Sequence, residues 1–174
     1  ICTLRDLVPE GATAVDDTPA AARLKAAGHL ERALANAVRF YEQPPQQTLL
    51  VETDFARVAV TEDVWADAFA AAEPGATHNE ARRQVWDALL EILHGEFDDE
   101  DVRARASISQ SRDLRAAVNR AWPLLDPVGV VVDLLTVPSY LRRCAPWLTE
   151  DEVAAVQRAG GRAWTTADLP LLDP

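Results

Sequence analysis

The sequence predicts a mainly α-helical protein with one small β-hairpin. Apolar residues recur at three- and four-residue steps along most of the chain, which is typical of helices with one buried face. Capping residues, prolines and glycines separate these stretches and indicate where the helices begin and end. Only the short runs 48–52 and 57–60 have a β-rich composition, and the four residues between them predict a hairpin.

The predicted helices follow from this periodicity in chain order. One long amphipathic helix is predicted over 20–42, where Pro44 and Pro45 stop it. Thr61 caps the helix after the hairpin, and a capping box that starts at Thr77 opens a helix over 80–94. Further helix starts are predicted at Ser111, Asp126, Pro138, Thr149, and Thr165 or Thr166.

Length and composition narrow the classes of function. At 174 residues, with 48% hydrophobic and 26% charged residues, the chain has ordinary globular composition, and its length predicts one domain, or one large domain with an appended segment. The net charge of −11 disfavours general nucleic-acid binding, which needs a basic face, and favours basic surfaces or metal ions as partners. No run of 18 apolar residues is present, so we expect no transmembrane helix.

Cys2 and Cys144 are far apart in sequence, and we expect buried free thiols rather than a disulfide.

Other features concern the chain's origin. The chain begins at Ile1 and contains no methionine, which predicts a piece of a longer protein. Nearly all of its basic residues are arginine, since Lys25 is the single lysine; with the many Ala and Asp residues this indicates a high-GC bacterial coding bias and a cytoplasmic location.

The most unusual stretch runs from Gly95 to Arg120. It begins with five carboxylates in six residues, and arginines with a single intervening Asp follow. A run of like charge is usually a solvated loop. The alternative interpretation is a recognition element for a basic or metal-bearing cavity, because carboxylates bind hard cations and can mimic phosphates. The carboxylates are Glu96, Asp98, Asp99, Glu100 and Asp101, and the arginines are Arg103, Arg105, Arg112, Arg115 and Arg120.

The sequence contains no catalytic motif. A P-loop needs a Lys followed by Ser or Thr, and the single lysine, Lys25, is followed by Ala26. The motifs G-x-S-x-G and H-E-x-x-H are also absent. We therefore expect that this chain is not an enzyme by itself. The three histidines and five tryptophans have structural roles as their default interpretation, at His29, His78, His94, Trp65, Trp86, Trp122, Trp147 and Trp164.

Several sequence pieces resemble HelD-type proteins, which are superfamily 1, UvrD-like helicase-related ATPases that bind bacterial RNA polymerase. The most specific piece runs from Ala163 to Asp173, with the pattern Trp-Thr-x-Ala-Asp-x-Pro-Leu-Leu-Asp. Supporting pieces lie over 4–9, 22–25, 77–79, 122–127, 133–135 and 145–149, so the resemblance covers essentially the whole chain.

The resemblance implies that residues 1–174 form one clamp-opening insertion domain within the first motor domain of a helicase. Residues 1–8 and 164–174 would be its junctions to the motor, and residues 95–112 a protruding acidic loop near the polymerase active site. On this interpretation seven residues contact the polymerase, namely Glu96, Asp98, Asp99, Glu100, Asp101, Arg103 and Arg105. The chain would bind no cofactor or metal of its own, although Asp98, Asp99, Glu100 and Asp101 would lie near the polymerase Mg²⁺.

The expected function is to enter the main channel of core RNA polymerase, open the clamp and displace nucleic acid, which recycles the polymerase. ATP and Mg²⁺ would act in the parent motor, and no membrane or self-association is implied. Two alternatives remain open. The arginines from Arg103 to Arg120 could guide single-stranded DNA, or the chain could only brace the motor.

Overall fold

The computed structural model describes residues 15–98, 100–158 and 164–171. Across these residues the protein is mainly helical with one two-stranded antiparallel sheet, which confirms the predicted fold class. In chain order the elements are α1 (Pro19–Ala26), α2 (His29–Arg39), β1 (Leu49–Glu52), β2 (Arg57–Val60), α3 (Glu62–Ala70), α4 (His78–His94), α5 (Val102–Ser109), α6 (Arg112–Ala121), α7 (Pro127–Thr136), α8 (Pro138–Cys144), α9 (Glu150–Val156) and a 3₁₀ helix (Thr166–Leu171).

Backbone contacts divide the chain into two compact units. The central unit is Tyr41–Leu125, and the flanking unit combines Ile1–Phe40 with Asp126–Pro174. The central unit is therefore continuous in sequence and is preceded and followed by segments of the flanking unit. The prediction of one insertion domain over 1–174, and of its location within a motor domain, stays a prediction.

In the flanking unit, the single helix predicted over 20–42 is wrong, because two helices replace it. Gly28 lies between α1 and α2 with φ of +73°, a left-handed conformation that interrupts the helical path. The apolar repeat continues across this break, which is why periodicity alone did not reveal it. The buried residues are Ala21 and Lys25 in α1 and Leu30, Ala33 and Ala37 in α2, and α2 packs against α7 and α8.

The central unit confirms the predicted hairpin. Leu49 pairs with Val60 and Val51 pairs with Val58, so the inward-facing valines of the two strands meet on one face. An isolated two-stranded sheet is only marginally stable in water. Here its buried face joins the core formed by α3, α4, α5 and α6, whose largest fully buried side chains include Trp65, Leu89, Leu93, Ile108 and Leu114.

The predicted caps at Thr61, Ser111, Asp126 and Thr149 are all present as hydrogen bonds from the first helical turn to the capping side chain. At Thr77 the capping box is present as well. There the Glu80 carboxylate accepts hydrogen bonds from the Thr77 hydroxyl at 2.7 Å and from the Thr77 backbone N–H at 3.0 Å. These bonds satisfy donors that a helix N-terminus otherwise leaves unpaired.

The loop predicted over 95–112 is shorter than expected. Residues Val102–Ser109 form helix α5 within the range that was predicted as a loop. Ala104 and Ile108 lie four residues apart on one face of this helix and are both buried. Ser107 adds a hydroxyl–hydroxyl hydrogen bond of 2.8 Å to Thr53 next to the hairpin. The packing of these three side chains stabilises a helix that also contains Arg103 and Arg105.

None of the helices in the described ranges has the length and apolar character that a bilayer crossing requires.

Candidate functional site

The predicted acidic residues lie at the connection between α4 and α5. Glu96, Asp98, Glu100 and Asp101 are all exposed, and we call these four side chains the acidic tip. Asp99 lies outside the described residues. Backbone hydrogen bonds close successive turns through this segment, among them Phe97 N–H to the His94 carbonyl at 3.2 Å. The connection is therefore a sequence of tight turns that directs its carboxylates to solvent.

Three side chains hold the base of the tip. The His94 Nε2 atom lies 3.2 Å from the Arg105 carbonyl oxygen and 3.0 Å from the Ser109 hydroxyl, which ties the end of α4 to α5. Arg105 donates from Nη2 to the Phe97 carbonyl at 2.9 Å. The Phe97 ring packs against the core of the central unit. The structural role predicted for His94 is confirmed, and the bonds on both sides of the tip anchor it to packed helices.

The two arginines predicted to contact a partner differ in their surroundings. Arg103 is exposed on α5, whereas Arg105 is half-buried beneath the tip and binds its backbone. Arg105 thus has a structural contact that no local sequence pattern indicates. The exposed guanidinium groups of Arg112, Arg115 and Arg120 all belong to α6.

The carboxylates of the acidic tip can attract cations. No group of three or more His, Cys, Asp or Glu side chains in the described ranges is arranged to hold a metal ion. Over the same ranges, no tip carboxylate forms an ion pair with a basic side chain. An unpaired, exposed cluster of carboxylates is suited to contact a basic surface, or a metal ion that a partner already holds.

A second cluster of charges, which the sequence did not predict, lies in the flanking unit. The ammonium group of Lys25 contacts Asp17 at 2.9 Å and Asp168 at 2.7 Å, and Arg158 contacts Asp168 at 2.6 Å. All four side chains are buried or nearly so, with Asp168 fully buried. We call these four residues the buried ion cluster. Its two cations and two carboxylates balance, which is the condition for keeping such charges away from water.

Backbone and hydroxyl groups complete the buried ion cluster. The Thr165 backbone N–H donates to Asp168 at 2.9 Å, and the Thr165 hydroxyl donates to Asp17. The guanidinium of Arg158 also lies 4.6 Å from the centre of the Trp164 ring. Lys25 comes from one of the sequence pieces that carry the family resemblance, and Trp164, Thr165 and Asp168 come from another, so in this structure those two pieces have a packing role. The only available sequence signal was a single lysine within an otherwise apolar helix face.

Structural roles were also predicted for the five tryptophans and for His78 and His29. Trp65, Trp122 and Trp164 are buried, which confirms core packing for three of the five tryptophans; Trp86 and Trp147 are half-buried. His78 has a structural role, because its two ring nitrogens lie 2.9 Å from Glu42 and 2.9 Å from the Pro123 carbonyl. His29 is exposed.

The prediction of a buried free thiol is confirmed at Cys144, where burial raises the thiol pKa above its ordinary value. Cys2 lies outside the described residues, as do residues 1–8 and 172–174 of the predicted junctions.

Comparison with known proteins found no family model that matches the chain and no curated protein that matches it.

Proposed function

We propose that this chain is the RNA polymerase-binding module of a HelD-like, helicase-related ATPase of the bacterial cytoplasm. In this proposal the acidic tip enters the main channel of core polymerase near the catalytic Mg²⁺. The folded helices hold the clamp open, and nucleic acid is displaced so that the polymerase can be used again. ATP hydrolysis belongs to the parent motor.

The observation that carries the proposal is the exposure of the acidic tip on a hydrogen-bonded base. Four carboxylates are presented between two helices whose inner faces are packed, at Leu93 of α4 and Ile108 of α5. A partner would not have to separate these carboxylates from basic groups of the described chain before binding them. A preformed binding element loses less conformational freedom on association, which supports binding.

A second observation supports insertion into a larger protein. The Val15 N–H donates to the Trp164 carbonyl at 3.0 Å, and the Thr166 N–H donates to the Val15 carbonyl at 2.8 Å. Two segments that are about 150 residues apart in sequence therefore lie side by side in the flanking unit. Closely spaced ends of a compact region are the geometry that tolerates insertion into a host domain.

The proposal is tested by neutralising the acidic tip with nearly isosteric amides. The variant combines Glu96→Gln, Asp98→Asn, Glu100→Gln and Asp101→Asn. A matched control neutralises four other exposed carboxylates of the central unit, with Asp54→Asn, Asp63→Asn, Asp67→Asn and Asp87→Asn. Because both variants change the net charge equally, a difference between them reports the position of the charges.

Binding to core RNA polymerase is measured by biolayer interferometry at fixed salt, and circular dichroism verifies that each variant is folded. We expect the tip variant to bind at least about tenfold more weakly than the control, which corresponds to about 1.4 kcal/mol. Equal affinities for the two variants would show that the acidic tip does not carry the interaction.

Guidance of single-stranded DNA is the second candidate function. The exposed arginines of α5 and α6 support it, and Arg115 lies over the half-buried Trp86 ring at 5.8 Å. Binding to an oligonucleotide that weakens steeply with salt, and that is lost on Arg115→Gln, would favour this candidate. The net charge of −11 counts against it.

A further inference from the structure

Two side chains near the start of α4 hold the segment through which the chain leaves the central unit. Asn79 bonds Leu125 twice, because its side-chain amide donates to the Leu125 carbonyl and accepts from the Leu125 N–H, each at 3.1 Å. Arg82 donates from Nε to the Trp122 carbonyl at 2.9 Å. The indole N–H of Trp122 donates to the His78 carbonyl at 3.0 Å. Hydrogen bonds therefore run in both directions between α4 and this exit segment.

The His78 ring joins the exit segment to the point where the chain enters the central unit. One ring nitrogen lies 2.9 Å from the Pro123 carbonyl oxygen, and the other lies 2.9 Å from the carboxylate of Glu42. Only 8% of the His78 side chain is exposed, so water has little access to either contact. The two ends of the central unit, which begins at Tyr41 and ends at Leu125, are thus held by one imidazole ring.

The exit segment depends on these bonds, because it lies between two helices and has no regular secondary structure. Helix α6 ends at Ala121 and α7 begins at Pro127. Backbone N–H and C=O groups outside helices and strands need side chains or water as partners. Here the partners come from three side chains at the start of one helix, His78, Asn79 and Arg82, and we call these three residues the α4 latch.

The core of the central unit is also made from its own side chains. Its buried apolar residues lie between Val51 and Trp122, and the half-buried apolar residues packed against them lie between Leu49 and Phe97. Both the core and the closure of the ends are therefore supplied by residues of the central unit itself. A region with its own core and closely spaced ends is the kind of region that folds and opens as one cooperative unit.

We propose that the α4 latch closes the central unit on itself, so that Tyr41–Leu125 stays folded and still presents the acidic tip when the flanking unit unfolds. The latch lies at the N-terminal end of α4, and the acidic tip follows the C-terminal end of the same helix. Closure of the ends and presentation of the tip therefore depend on one 17-residue helix. The proposal concerns folding alone and holds whether or not the chain binds polymerase.

Hydrogen–deuterium exchange of the full 174-residue chain tests this proposal, with mass spectrometry of peptides from each unit. Asp168→Asn perturbs the flanking unit through the buried ion cluster, whose four residues all belong to that unit. Asn79→Ala removes both bonds of the latch to Leu125. The control is Arg83→Ala, which shortens an exposed side chain of the same helix.

With Asp168→Asn, we expect exchange in α2 and α7 to accelerate about a hundredfold or more, while exchange in α4 and the hairpin changes by less than about threefold. With Asn79→Ala, we expect exchange in α4 and α6 to accelerate about tenfold, because two hydrogen bonds are lost. Arg83→Ala should leave exchange in these two helices unchanged.

Equal acceleration in both units with Asp168→Asn would overturn the proposal, because it would mean that the two units unfold together. Exchange in Asn79→Ala that is no faster than in Arg83→Ala would overturn the role of the latch. If Asp168→Asn accelerates exchange in neither unit, exchange of the unchanged chain in rising urea decides. One common free energy of opening for the two units would then overturn the proposal, and a separate value for each would support it.

Discussion

Asp168→Asn should destabilise the flanking unit strongly, because it removes a charge from the buried ion cluster while keeping the shape of the side chain. The Asp168 carboxylate is fully buried and contacts Lys25 at 2.7 Å and Arg158 at 2.6 Å. After the substitution, Asp17 is the single carboxylate left in the cluster to balance these two cations. The remaining excess positive charge would be held away from water, which is the costly situation for an ion pair that has lost one partner.

The expected loss in the free energy of unfolding of Asp168→Asn follows from the contacts of Asp168 with Lys25 and Arg158. At an effective dielectric constant of about 20, a charge pair about 4 Å apart contributes roughly 4 kcal/mol, so two lost pairs amount to roughly 8 kcal/mol. Part of this is regained, because the amide does not have the several kcal/mol of desolvation cost that a buried carboxylate carries. We therefore expect a loss of about 3–5 kcal/mol in the free energy of unfolding, as is typical when one partner of a buried pair is removed.

Labelling of Cys144 measures this loss within the flanking unit itself. Cys144 is fully buried, and burial raises its thiol pKa. A thiol reagent therefore reacts with Cys144 mainly after the flanking unit has unfolded locally or completely. In a Cys2→Ser background, the protection of this thiol should fall by about two to four orders of magnitude. Asp133→Asn on the exposed face of α7 is the matched control and should change the protection little.

A double variant isolates the charge effect. Adding Arg158→Met to Asp168→Asn leaves the Lys25–Asp17 pair, in which one cation contacts one carboxylate at 2.9 Å, and should restore part of the lost stability. A decrease of less than about 1 kcal/mol in Asp168→Asn, or no difference from the Asp133→Asn control, would refute the reasoning about the buried ion cluster.

Three further predictions concern single residues. Gly28→Ala should destabilise the chain by about 1 kcal/mol in chemical denaturation, because Gly28 has φ of +73°, and an equal or greater stability would contradict this. Leu89→Ala should cost about 2–5 kcal/mol in the same assay, since Leu89 is fully buried in the central core; a loss below 1 kcal/mol would mean that the core is not packed as described. Hydrogen bonds from the Thr77 side chain and then its backbone lower the pKa of Glu80 below its ordinary value of 4.5, so the stability that Glu80 contributes is present above that pH and is lost as the pH falls through the lowered pKa. Glu80→Gln should therefore lower stability at pH 7 and flatten its decline below pH 4.5, and an unchanged pH profile would refute this linkage.

The local elements could largely be predicted from the sequence, because their signals lie within a few residues of each other. The hairpin, the capping boxes and the proline starts all depend on neighbours along the chain. Helix α5 was missed because only Ala104 and Ile108 mark its buried face, and its arginines suggested a solvated loop. The break at Gly28 was missed because the apolar repeat is the same on both sides of it.

Contacts between distant residues could not be predicted in the same way. Lys25 and Asp168 are far apart in sequence, and neither has a local partner that would indicate an ion pair. The exposure of the acidic tip could be expected from its charge alone, since adjacent carboxylates are costly to bury together. The anchoring of its base by His94 and Arg105 depends on how α4 meets α5, which no local pattern encodes.

Competition with nucleic acid tests the proposed function most directly. The 174-residue chain is incubated with core RNA polymerase that is either free or loaded with a DNA–RNA scaffold, and bound chain is measured after affinity capture. The proposal predicts binding to the free polymerase and little or no binding to the loaded form, since both occupants need the main channel. Equal binding to the two forms would contradict competition for the channel, and binding to neither would contradict the assignment of polymerase as the partner.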